Sequence, residues 1–257
     1  MKRDFLRKSL CILSLMLLCL LTACGSQVAD KNASLETSNK ETTESTIQTE
    51  DTINNESNST TPEQNTLVSE TDSVEGELEV HFLDVGQGDA SLIVFDGHAM
   101  LIDAGPDSKG TAVQYYLQKQ GISSLDYVVI THPDTDHIGG MDVILTKFEC
   151  KNVIMLDAES DTAAYRDVCS AMEYKHYKAT QPTIGSQYKL GEVSVTFLGP
   201  KETVDNDNDN SIICLVEYGK TSFLFTGDAE AKGENVLCSG NLSVDVYHVG
   251  HHGSETS

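Results

Sequence analysis

The stretch that most restricts this chain is a continuous apolar run, Tyr127-Val128-Val129-Ile130, which passes directly into Thr131-His132-Pro133-Asp134-Thr135-Asp136-His137-Ile138-Gly139-Gly140. A strand that is apolar at every position has to be covered on both faces, as in a parallel sheet held between two layers. Sheets of that kind carry their sites in loops at the carboxyl ends of strands. The loop here holds four candidate ligands within six residues: His132, Asp134, Asp136 and His137. Imidazole and carboxylate together suit zinc, manganese or iron, and alternating ligands can face two neighbouring ions. Pro133 stiffens the loop, and the glycines let the backbone turn closely around a site.

Charge divides the chain. Residues 78–257 hold 11 basic against 27 acidic residues, a net charge of −16. Such a domain is a poor general nucleic-acid binder, because attraction to phosphates needs Lys and Arg. Carboxylates that hold cations would lower the effective charge. Residues 26–77 are rich in Ser, Thr, Asn and Glu and contain no aromatic residue. They cannot bury enough surface to offset ordering entropy, so they read as a self-repelling tether.

Before the tether, four basic residues precede the apolar run 9–21, which is too short to span a bilayer. Leu21-Thr22-Ala23-Cys24-Gly25 then resembles a bacterial lipobox. The resemblance implies cleavage before Cys24, a lipid on that cysteine, and a domain held at the extracellular face of the cell membrane. Cys150, Cys169, Cys214 and Cys238 remain, none in a CxxC spacing, and the expectation is buried free thiols.

Within the folded part, strands are expected over 79–85, 91–95, 99–102, 127–130, 153–156 and 244–249, with hairpins over 188–198 and 212–225. Helices are expected over 111–120, 138–148, 161–174 and 229–238. The segment 89–95 can be laid on 209–215, and both pass through a Gly turn into an apolar strand. This suggests two related αβ halves packed sheet to sheet.

The loop motif His132-x-Asp134-x-Asp136-His137 resembles the HxHxDH signature of the metallo-β-lactamase superfamily, with Asp replacing the second His. Together with HFLDVGQGDA at 81–90, TGD at 226–228 and HHGS at 251–254, it resembles the hydrolase domain of ComEC/Rec2 competence proteins. The resemblance implies a four-layer αββα sandwich, incomplete at its C-terminus, and two divalent metal ions, Zn or Mn. It assigns His132 and Asp134 to one ion, Asp136 and His137 to the other, Asp228 as the bridge, and His251 as a further ligand with His252 as its alternative. Asp228 also reads from the residues alone as a carboxylate at a strand end, freed by Gly227.

Relatives usually add another His before the bridging Asp. Here no His lies between His176 and Asp228, and 205–211 stands in its place. Either a group there, Asp209, Asn210 or Ser211, substitutes, or the first ion is held weakly; an Asx-rich surface turn is the alternative. Asp84, Gln87 and Asp89 fall in the first loop and would line the site, whereas Asp103 is expected to fix a turn and His248 to be a strand residue.

Two ions about 3.5–4 Å apart would activate a water, with Asp134 or Asp136 taking its proton. No GxSxG motif offers a Ser nucleophile. Three functions fit: a phosphodiesterase or nuclease acting on extracellular DNA, touching it through the metals and a few of Lys109, Lys147, Lys151 and Lys201; a hydrolase of phosphocholine or other small esters; and a non-catalytic competence-accessory module. No protein partner is implied.

Overall fold

The computed structural model describes residues 76–257, apart from 159 and 240. The leader, Cys24 and almost all of the tether lie outside the described residues.

The first half runs β1 (Leu78–Phe82), β2 (Ser91–Phe95), β3 (His98–Ile102), α1 (Gly110–Lys119), β4 (Ser124–Leu125), β5 (Tyr127–Ile130), α2 (Thr135–Ile138), α3 (Met141–Lys147), β6 (Glu149–Cys150), β7 (Val153–Met155), α4 (Ala163–Lys175) and β8 (Ala179–Thr180). The second runs β9 (Gln187–Leu190), β10 (Val193–Gly199), β11 (Ile213–Tyr218), β12 (Thr221–Phe225), α5 (Ala231–Glu234) and β13 (Val246–His248). One sheet has the order β1-β2-β3-β5-β7-β8 and the other β13-β12-β11-β10-β9, while β4 and β6 form a small ribbon.

The apolar run of β5 now has its reason. The strand is parallel to β3 on one side and β7 on the other. Val128 and Ile130 pack with Val113, Leu117, Ile144 and Val168 of the helical layer. Val129 instead meets Val195, Phe197 and Cys214 of the opposite sheet. A thinner cluster, Ile213, Leu215, Leu224 and Ala229, lies on the far face of the second sheet. The layers are therefore helix, sheet, sheet and short helices, as expected. No helix among the described residues is long and apolar enough to cross a membrane.

The two sheets share one pairing pattern. β1-β2-β3 are antiparallel neighbours followed by parallel β5. β10-β11-β12 are antiparallel neighbours followed by parallel β13. The loops after β3 and β5 thus correspond to those after β12 and β13, and all four open at the same place.

Some boundaries differ from expectation. β1 stops at Phe82 because Asp84 turns back to accept from Gly86 N–H at 3.2 Å. The helix expected over 138–148 breaks into α2 and α3 at Gly139-Gly140. A Cβ on Gly140 would lie 2.5 Å from the Ala104 carbonyl and 2.7 Å from the Gly110 Cα, so the backbones cross where no side chain fits. The helix expected over 229–238 shrinks to α5 and a single 3-10 turn, Leu237–Ser239, since Gly233 and Asn235 are poor helix formers. All four cysteines are free, but only Cys150 and Cys214 are buried; Cys169 and Cys238 are exposed, which corrects the expectation of four buried thiols.

Candidate metal centre

Four loops converge on Asp228, which follows β12. Its Oδ1 is 3.0 Å from His137 Nε2. Its Oδ2 is 3.8 Å from His132 Nε2, 3.5 Å from His252 Nε2 and 4.0 Å from His251 Nε2. The His132 and His137 rings are 4.2 Å apart, and His137 and His252 are 5.2 Å apart. Asp134 Oδ2 lies 3.8 Å from His132 Nε2, and Asp136 Oδ2 lies 3.3 Å from His252 Nε2. Donor atoms of Asp89, His137, Asp228 and His252 all fall within 4.8 Å of one another. All six residues expected as ligands thus gather in one place, together with Asp89 and His252.

Neighbours set which ring nitrogen each histidine presents. Asp103, fully buried, accepts from Thr131 N–H at 2.9 Å and from Thr131 Oγ1–H at 2.6 Å, and its Oδ2 is 2.8 Å from His137 Nδ1. His137 therefore donates through Nδ1 and turns Nε2 towards Asp228. Thr131 Oγ1 spends its one proton on Asp103, so it accepts from His132 Nδ1–H at 3.1 Å. Both imidazoles then offer an Nε2 lone pair to the same space. Asp103 was expected to fix a turn. It is instead the carboxylate that orients a candidate ligand, and its backbone φ of 56° aims it inward.

The centre fits a cation. His132 Nε2, His137 Nε2 and Asp228 Oδ1 are buried; with the proton of His137 on Nδ1, its Nε2 faces Asp228 Oδ1 at 3.0 Å as one acceptor against another. Buried polar atoms without partners are costly, and three that converge have the makeup of a metal's donor set. Burial pushes the Asp228 carboxyl up, but His137, His132 and His252 overrule it and hold it below the usual range. Burial lowers His137, yet the Asp103 hydrogen bond and the Asp228 carboxylate raise it well above the ordinary imidazole. Burial and the neighbouring His137 lower His132.

The remaining expected residues have other duties. Asp209 accepts from Gly233 N–H at 2.8 Å, and Asn210 bonds the backbone of Val204 through both amide atoms. Ser211 Oγ accepts from Asp228 N–H at 3.0 Å and so sets the bridging residue's backbone. All three bond to backbone groups here rather than to a side-chain donor of the centre. Asp84 is exposed and turned to Gly86. His251 is drawn aside, 2.8 Å from Thr256 Oγ1 and 3.4 Å from Glu230, so His252 is the nearer of the two. His248 is the strand residue expected, and it also reaches Asp89 at 3.2 Å. Lys151 is paired with Asp126 at 2.7 Å. Sequence reasoning passed over Thr131, whose only signal was its place between the strand and the first His.

Residues 83–257 match the profile of the metallo-beta-lactamase superfamily. Recombination protein 2 of Haemophilus influenzae is 36% identical over 185 residues, covering 70% of this chain and 22% of that protein. ComE operon protein 3 of Bacillus subtilis is 30% identical over 204 residues, covering 70% and 26%. Competence protein ComA of Neisseria gonorrhoeae is 29% identical, covering 71% and 25%. The chain spans about a quarter of the length of these relatives. Among solved structures, metallo-beta-lactamase SMB-1 bound to 2-mercaptoethanesulfonate aligns with a TM-score of 0.47 at 18% identity, over 67% of this chain and 76% of that one.

Proposed function

The chain belongs to the metallo-beta-lactamase superfamily, and from that premise we propose a metal-dependent phosphodiesterase that hydrolyses DNA outside the cytoplasm. One observation carries the reading: Asp228 offers one oxygen to His137 and the other to His132 and His252, in a pocket of buried donors without partners.

His132, Asp134, Asp136, His137, Asp228 and His251 or His252 would hold two divalent ions, with Asp228 shared. The bound ions would supply Lewis acidity, neutralising charge on a phosphoryl group and lowering the pKa of a water towards ~7. Asp134, half-exposed beside His132, would take a proton from the attacking water. Asp136, 3.3 Å from His252, would be the alternative base. Asp103 and Thr131 keep the two imidazoles in one tautomer throughout. The leader and lipobox support a location on the outer face of the membrane, with Cys24 as the lipidated residue.

Full-length protein loaded with Mn²⁺ or Zn²⁺ is expected to degrade plasmid DNA, to stop with EDTA, and to contain two equivalents of metal by mass spectrometry. Asp228→Asn should lose metal and activity together. Turnover of small phosphoesters alone would redirect the substrate assignment. Stoichiometric metal with no turnover of any phosphoester would overturn the enzyme reading.

A further inference from the structure

We propose that Phe82, backed by His248, is a stacking platform for a nucleobase of the strand held at the metal centre. The inference rests on the phosphodiesterase reading and extends it to the part of the substrate beside the scissile bond.

Phe82 is 48% exposed, the one phenylalanine among the described residues left so open. It sits at the end of β1, where the chain enters the loop that carries Asp89. Its ring stacks on His248 at 5.3 Å with only 8° between planes, and leans on Phe225 at 6.0 Å. His248 is held by Asp89 at 3.2 Å. Asp89 is itself within 4.8 Å of the donor atoms of His137, Asp228 and His252. One carboxylate, Asp89, thus links the aromatic stack to the candidate metal centre.

β1 is an edge strand of its sheet, and Phe82 is its last residue. An aromatic ring presents a neutral, flat surface that every base can cover. That neutrality matters in this protein. With a net charge of −16 over 78–257, the domain repels a polyanion, and Lys151 is committed to Asp126. Contacts indifferent to charge would add to the affinity that the metals and the remaining lysines supply. Stacking is the strongest of these, and it selects unpaired bases, since duplex bases are already stacked.

The sequence contains no tryptophan, so Phe82→Trp creates a single reporter. In the Zn²⁺-loaded full chain, its emission should be quenched by a phosphorothioate thymidine hexamer, and much less by the same hexamer annealed to its complement. Phe82→Leu, which keeps apolar bulk, should raise KM for thymidine 5′-(p-nitrophenyl phosphate) about tenfold. It should leave KM and kcat for methyl p-nitrophenyl phosphate unchanged, because that substrate has no base. Unquenched Trp emission with an unaltered KM for the thymidine substrate overturns the platform, while continued turnover of the methyl substrate leaves the phosphodiesterase reading standing. If wild-type protein turns over neither substrate, the phosphodiesterase reading falls instead.

Discussion

Asp103 shows how much of a metal centre is settled by residues that touch no metal. Its carboxylate takes two hydrogen bonds from Thr131 and faces His137 Nδ1 from inside the core. Asp103→Asn keeps the size and removes the charge, and its amide would confront an imidazole N–H. We expect metal affinity to fall about 10–100-fold with the fold retained, as read by calorimetric titration of Zn²⁺ and circular dichroism. The raised pKa of His137 gives a second prediction. A group whose pKa rises on folding stabilises the fold below its unfolded value, and that contribution disappears as pH climbs through the folded value. In metal-free protein, the stability gap between wild type and His137→Gln should therefore narrow from pH 6 to pH 9. Urea denaturation in EDTA measures it, and a gap that widens would contradict the assignment.

At the level of elements, close approach of backbones explains what helical periodicity misses. α2 and α3 form one apolar pattern, yet Gly139-Gly140 interrupts it because the turn crosses Gly110 and Ala104 at contact distance. Gly140→Ala would force a Cβ against main-chain atoms that have no freedom to yield. A loss of about 1–3 kcal/mol is expected from overpacking of this kind. Tyr115→Ala, on the exposed side of α1 at 69% exposure, should stay within about 0.5 kcal/mol. Chemical denaturation of the two variants side by side tests the claim. The same crossing seats His137, since Ala104 N–H donates to the His137 carbonyl at 2.8 Å. The strain introduced by Gly140→Ala should therefore weaken metal binding as well.

For the whole molecule, the sandwich divides the thiols into two classes. Cys214 lies between the sheets, and its pKa is driven upward by burial. Cys150 packs under the helical layer, and burial raises its pKa to about 12. Cys169 and Cys238 are exposed. Alkylation of the folded protein at pH 8 should modify Cys169 and Cys238 within minutes, and Cys150 and Cys214 only after unfolding, because the thiolate is the reactive form. Peptide mass mapping distinguishes the pairs. Early labelling of Cys214 would mean that the sheets separate readily.

How far the sequence could be read follows from the range of the forces involved. β2 and β5 were legible to the residue, because alternation or continuity of apolar side chains is a local record of what covers a strand. The loop from His132 to His137 was legible because its candidate ligands lie within six residues. Asp228, 91 residues beyond His137, was legible through the family resemblance, and its Gly-Asp setting at a strand end agreed with it. The contacts of Asp103, Thr131 and Ser211, the different surroundings of His251 and His252, and the stack of Phe82 on His248 were decided by tertiary structure alone. Each depends on which loops two packed sheets bring to the same edge, and on angstrom-scale distances between side chains that no spacing along the chain encodes.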